Sequence, residues 1–212
     1  MIKDRLLIVF IFIFVNSFLF SSLQSKINNN IVVKVGESLV TSIDVQNEVL
    51  TNLIINKQEI TQDNINNSKN FSIKNLIVKS IKRAEINKYE IKDYNNKDLK
   101  NYLKRVEKNF NTNSEGLKNI FKQNGISYET FVKNHETELL WNTLIFKIYN
   151  KQININIVEV DREIEKITRN QNEDELKKIK EKILNKRKEE KLNLFSRSHL
   201  SNLENTIAIN FQ

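Results

Sequence analysis

Corners in a folded chain are usually marked by glycine or proline, yet this sequence of 212 residues has three glycines and no proline. A many-stranded β fold would need far more such corners, whereas long helices need few. The expected fold class is therefore mainly α, and element boundaries have to be read from capping residues and apolar periodicity.

Gly36 and Glu37 separate two short extended pieces, Ile31–Val35 and Ser38–Thr41. Thr41 is followed at the third position by Asp44, a capping-box pattern, and Val45, Val49, Leu50, Leu53 and Ile54 give the first helix its apolar stripe. Residues 61–70 are polar and Asn-rich, which predicts a loop or a frayed junction. Ser72 then caps a second helix with Ile73, Leu76, Ile77, Ile81 and Ala84 on one face. A third begins near Asn96 and carries Leu99, Tyr102, Leu103, Val106 and Phe110, and a short fourth covers residues 114–124. Gly125 stands where a left-handed C-terminal cap belongs. Ser127 caps what reads as the longest helix, ending near Asn150, and its second half (Leu139, Leu140, Trp141, Leu144, Ile145, Phe146) is apolar nearly all round. Such a helix must be covered on several sides.

Ile153, Ile155 and Ile157 alternate with Asn154 and Asn156, predicting a short extended link into a helix over residues 158–168. A polar hinge over residues 169–173 precedes a charged helix starting at Asp174 with Leu176, Ile179, Ile183 and Leu184 inward. Residues 195–205 are helical by composition. Residues 206–211 alternate like a strand, which could pair with Ile31–Val35. No internal repeat is present.

The first 25 residues read as an export signal. Lys3, Asp4 and Arg5 precede an unbroken apolar run over residues 6–15, and Ser21, Ser22 and Ser25 offer small residues for cleavage. Retention as an anchor is the alternative, although the run is shorter than the ~20 residues of a spanning helix. An exported chain without cysteine relies on its hydrophobic core and not on disulfides. The formal charge is +8, which raises the question of nucleic acid or anionic lipid. Acidic and basic residues are interleaved, however, as over residues 174–182, and the reading preferred is a solvated helix surface.

No Gly-rich phosphate loop, Cys/His metal cluster or HExxH motif occurs, so no cofactor and no metal are expected. His135 and His199 are the two histidines, each isolated among polar residues and read as surface or rim; a general base also needs a positioned second group, for which Glu138 or Ser198 are distant candidates. Glu159 with Glu163, and Glu189 with Glu190, adjoin Lys or Arg and read as surface pairs. The expectation is a protein that is not an enzyme. Phe121, Tyr128, Phe131, Trp141, Phe146 and Tyr149 cluster in the two helices around Gly125. Either they are core, or some of them line a crevice for apolar polypeptide, for which Trp and Tyr supply large contact area with a polar handle.

The order of these parts carries a resemblance. A signal, then IVVKVGESLVTSIDV at 31–45, GISYETFV at 125–132 before a long helix, VEVDREI at 158–164, and ILNKRK at 183–188 followed by the helix and strand of residues 200–211 together resemble the SurA family of periplasmic chaperones. The resemblance implies a SurA-N-like helical domain over residues 26–172 and a C-terminal helix and strand over residues 173–212 that return to it. In that family parvulin-type prolyl isomerase modules lie where residues 169–173 stand here. Such a module needs on the order of 90 residues and its own Gly-rich turns, and this chain has neither. The implied function is an ATP-independent periplasmic chaperone that binds unfolded outer-membrane or secreted polypeptides in an apolar crevice beside residues 114–150, without isomerase activity. Nucleic acid is not an expected partner, and the membrane is one only through an uncleaved signal. The alternatives are a membrane-tethered accessory factor at the export channel and a basic nucleic-acid or lipid-surface binder.

Overall fold

The computed structural model describes residues 29–167 and 173–212. The signal at residues 1–25 and all of the expected hinge but Glu173 lie outside the described residues.

The fold is mainly α with one small antiparallel sheet. Strand β1 (Ile31–Val35) turns through Gly36, at φ +55°, into β2 (Ser38–Thr41). The Thr41 side chain accepts from Asp44 N, and the Asp44 carboxylate accepts from Thr41 N at 2.9 Å, so the capping box opens helix α1 (Ser42–Ile55). At the other end of the chain β3 (Ile209–Phe211) pairs antiparallel with β1, Val33 opposite Phe211 and Val35 opposite Ile209. The strand order is β2-β1-β3, so the first and last described elements close on each other as the alternation of residues 206–211 predicts. Val33, Val35 and Val40 then face α1 and α2 with Val45, Val49, Leu53, Ile77 and Ile81 as one core cluster.

Helix α2 (Gln62–Lys88) corrects the expectation for residues 61–70. The Asn-rich stretch is not a loop. Thr61 caps it by accepting from Asn64 N at 3.2 Å, and Ile65 packs against the core under the sheet. That apolar anchor overrides the weak helix preference of asparagine. Ser72 is accordingly no cap. It is fully buried in mid-helix and accepts from Asn52 Nδ2 of α1 at 3.3 Å.

Helices α3 (Asn96–Asn109), α4 (Ser114–Gln123) and α5 (Tyr128–Tyr149) follow the predicted boundaries, with Asn113 and Ser127 as N-caps and Gly125 left-handed at φ +70°. They enclose a second cluster of Ile54, Val106, Leu117, Phe121, Ile126 and Phe131. A single 3-10 turn (Asn150–Gln152) and residues 153–156 lead into α6 (Ile157–Ile167).

Helix α5, of 22 residues, is not the longest. The two helical pieces expected after residue 173 are one 32-residue helix, α7 (Glu173–Glu204). No glycine or proline interrupts it, and its apolar side changes along its length: Leu176, Ile179 and Ile183 share one side of the first half, and Leu192, Phe195, Leu200 and Leu203 share another in the second. The first half of α7 runs along α6, with Lys180 bonded to Asp161 at 2.6 Å and Arg187 to Glu163 at 3.0 Å. Its second half lies across α5 and α2 and completes a third cluster: Ile86, Ile91, Trp141, Leu144 and Ile145, overlaid by Leu192, Phe195, Leu200 and Leu203. This is the cover that the all-round apolar half of α5 demanded. Among the described residues no helix is long and apolar enough to cross a membrane.

Candidate polypeptide-binding surface

The six aromatic residues singled out from the sequence do not form one group. Phe121 and Phe131 are buried, and with half-buried Tyr128 they stack in the second cluster, ring centroids 4.8 Å apart for Phe121 and Phe131. Trp141, 1 % exposed, belongs to the third cluster, and its Nε1–H donates to Ser196 Oγ of α7 at 2.8 Å. Tyr149 stacks on Phe195 of α7 with centroids 4.8 Å apart. Phe146 alone of the six has an exposed ring, at 44 %, and Lys188 Nζ of α7 lies over it at 5.0 Å. Phe121, Phe131 and Trp141 therefore hold helices together, and the side of α5 that reaches solvent is the one bearing Phe146.

The two histidines are also built into the fold. His135 stacks on Tyr102 of α3 at 3.5 Å, and burial pushes its pKa down, aided by Arg105 and opposed by Glu138. It lines a small cavity of about 170 Å³ with Glu48, Lys79 and Glu138. His199 links three helices. Its Nδ1 is 2.8 Å from the Tyr149 hydroxyl and its Nε2 is 3.2 Å from Glu85 Oε1. Burial raises the pKa of that hydroxyl, with the charge of Glu85 adding to it. The arrangement ties α7 to α5 and α2; neither Glu138 nor Ser198 is its partner.

Where α5 ends and α6 begins, the surface changes character. A cleft of about 710 Å³ opens between residues 154–160 and α7, lined by Ile155, Ile157 and Val160 on one wall and by Arg187 and Lys191 on the other. Ile157 is 47 % and Val158 58 % exposed. Leu194, 59 % exposed, stands three residues beyond Lys191 and hence on the same side of α7. Phe146 sits beneath Lys188, the neighbour of Arg187. Of these four exposed apolar residues Ile157 lines the cleft, Val158 follows it in the chain, and Phe146 and Leu194 stand on α5 and α7. Single exposed apolar residues are ordinary on a protein surface, whereas a grouped set marks an interaction site.

A second, narrower recess of about 420 Å³ lies at the opposite end of the chain's path, beneath β1. Its floor is Val32, Val45, Val49, Leu50 and Ile65 and its rim Gln46, Gln62, Asn66 and Lys69. Its apolar residues belong to the core cluster beneath the sheet or pack against it, apart from Leu50.

Of the surface residues that matter here, sequence reasoning reached Phe146 and missed Ile157, Val158, Leu194, Lys188 and Lys191. Ile157 reads as part of an alternating link and Val158 as the first turn of a helix. Leu194 falls outside the stripe of Leu192, Phe195, Leu200 and Leu203 that the second half of α7 turns toward the core.

No protein-family model and no curated protein matches this chain. A solved structure reported with the virulence factor PEB4 and the periplasmic protein Cj1289, two structurally related SurA-like chaperones of Campylobacter jejuni, is similar to it at a TM-score of 0.43 and 14 % identity. The similarity covers 87 % of this chain and 99 % of that one.

Proposed function

We propose that the chain is a chaperone that holds unfolded polypeptides, without ATP and without isomerase activity, by burying their apolar side chains at the cleft between residues 154–160 and α7 and on the exposed apolar residues of the neighbouring helices. The observation that carries this reading is an open cleft lined by Ile155, exposed Ile157 and Val160, with Phe146, Val158 and Leu194 also exposed on the three helices α5, α6 and α7. Each such side chain covered by a client contributes about 1.5–3 kcal/mol if fully withdrawn from water. A few partial contacts of this size support capture that is reversible on release for folding, and no chemical step is needed for it. The export signal read at residues 1–25 and the absence of cysteine fit work outside the cytoplasm, on other exported chains such as outer-membrane proteins.

The test is suppression of aggregation of an unfolded β-barrel protein diluted from urea. A stoichiometric excess of the chain is expected to keep the client soluble, and the pair Phe146→Ser with Leu194→Ser to lose most of that effect. Leu39→Ser, which removes an equally exposed residue (52 %) from β2, is the control and should behave as wild type. No protection by the wild-type chain, or equal losses in the two variants, would sink the reading.

A further inference from the structure

The C-terminal ends of α1 and α3 meet at an open recess of about 800 Å³, and every charged side chain lining it is a cation: Lys57, Arg105 and Lys108. Cations at helix ends commonly serve the last carbonyls. Here the backbone already does so. The carbonyls of Asn52, Leu53 and Ile54 accept from the N–H groups of Asn56, Gln58 and Lys57, and those of Val106, Glu107 and Lys108 accept from Phe110, Thr112 and Asn111. Among the described residues none of the three cationic side chains makes an ion pair or a hydrogen bond; Lys57 Nζ rests over the Phe110 ring at 5.6 Å.

Lys108 also ends a row. Lys97, Lys100, Lys104 and Lys108 are spaced by three, four and four residues, so they lie along one exposed side of α3 over roughly 16 Å. None of them is ion-paired among the described residues, and the two acids of the helix, Asp98 and Glu107, stand to either side of the row. Row and recess together ask for several negative charges set side by side. Phosphates answer that demand: each offers more than one oxygen to an Arg fork, and lysines pair with them as point charges. Ammonium groups along the outer side of a helix meet a plane of phosphates more readily than a ligand that must be enclosed. Nucleic-acid bases would want an open ring to stack on, yet Tyr102, the ring lining the recess, is stacked on His135 at 3.5 Å and Phe110 lies under Lys57. We propose that this side of α3, with the recess at its end, docks the chain on an anionic membrane surface through the phosphates of its headgroups. The inference is independent of the client-binding reading, since none of these cations lines the cleft beside residues 154–160.

Each Lys or Arg held near an anionic bilayer strengthens binding about fivefold, and the attraction fades within a Debye length. The test is co-sedimentation of the full chain with vesicles of phosphatidylglycerol mixed with phosphatidylcholine, or of phosphatidylcholine alone. The apolar run at residues 6–15 acts on both kinds of vesicle, so the readout is the ratio of the two partition coefficients. In ~50 mM salt the ratio is expected to be on the order of 100, and in ~500 mM salt to approach one. Lys57→Gln with Arg105→Gln and Lys108→Gln, or Lys97→Gln with Lys100→Gln and Lys104→Gln, should each lower it at least tenfold. Arg at Lys97, Lys100 and Lys104 should keep it. Lys178→Gln with Lys182→Gln and Lys186→Gln on α7, where Glu181 and Glu189 line the same recess, removes as much charge and should change the ratio by less than about threefold. A wild-type ratio near one overturns the proposal, and so do equal losses in the α3 and α7 variants, which would report net charge alone. Tighter binding of a single-stranded oligonucleotide than of anionic vesicles, with the same loss in the α3 variants, overturns it too, since the cations would then serve nucleic acid.

Discussion

The pair Glu48 and Lys79, which joins α1 to α2 beside the first core cluster, offers the sharpest quantitative test of the fold. Glu48 is 4 % exposed, and its two carboxylate oxygens accept from Lys79 Nζ at 2.8 and 2.7 Å; Asn75 Nδ2 reaches the same carboxylate only at 3.5 Å. The Lys79 side chain is 16 % exposed. Removing one member of a buried pair costs about 3–5 kcal/mol because the other is left buried with its charge unpaired, whereas replacing both by apolar groups is often neutral or stabilising. The exposures make the two singles unequal. Without Glu48, Lys79 can turn its ammonium toward solvent along its flexible stem, so Glu48→Leu should cost about 3 kcal/mol, at the low end of that range. Without Lys79, Glu48 keeps one long bond to Asn75, and Lys79→Met should cost about 4–5 kcal/mol. The double variant should fall within about 1 kcal/mol of wild type, well short of the sum of the singles. Urea unfolding followed by circular dichroism reads this directly. With a slope of ~2 kcal/mol per molar, the midpoints drop by about 1.5 M for Glu48→Leu and about 2–2.5 M for Lys79→Met, and that of the double returns to near wild type. Singles that add to the double within about 0.5 kcal/mol would refute the description of a mutually dependent pair.

Two further outcomes test other parts of the structure. Burial, then the hydrogen bond donated to Glu136 at 2.7 Å and the charge of that carboxylate, raise the pKa of Tyr94 from 10.0 to about 12. A folded-state value above the unfolded one means that the Tyr94 contribution is fully present below about pH 10 and is lost as pH rises through about 12. Tyr102, Tyr128 and Tyr149 are raised as well, so tyrosinate absorbance should lose its latest-titrating component in Tyr94→Phe, and an unchanged late component would overturn the assignment. At the junction of α4 and α5, Gly125 has open space where a Cβ would stand but a φ of +70°, so Gly125→Ala should cost about 1–2 kcal/mol through backbone strain alone. Gly125→Asn should cost less, and thermal melts of the two variants that rank the other way would contradict a left-handed cap.

The parts legible in the sequence are those fixed by neighbours along the chain. Thr41 with Asp44, Ser127 with Thr130, and Gly125 after α4 each make their decisive contact within a turn, and each was placed. The readings that differ depended on remote partners. Asn-rich residues 61–70 became helix because Ile65 reaches the core under the sheet, and Ser72 has the chemistry of a cap but spends it on Asn52, 20 residues earlier. His199 reads as a rim histidine until α7 brings it to Glu85, 114 residues away. For the candidate surface the same rule holds. Which of Trp141, Phe146 and Tyr149 stays exposed is decided by where α7 lies over α5, and helical periodicity within α5 alone carries no information about that.

The pairing of β3 with β1 sets the order in which the fold can be assembled. Strand β1 acquires β2 within a few residues, but its other edge stays open until residues 209–211 have been made, nearly the whole chain later. Loop closure over that span is entropically costly and slow relative to forming the local helices. A chain passed through a pore from its N-terminus would therefore emerge as separate helices and one unfinished hairpin, and the sheet would complete when the last residues are clear. The described sheet is thus complete only when residues 209–211 are in place beside β1.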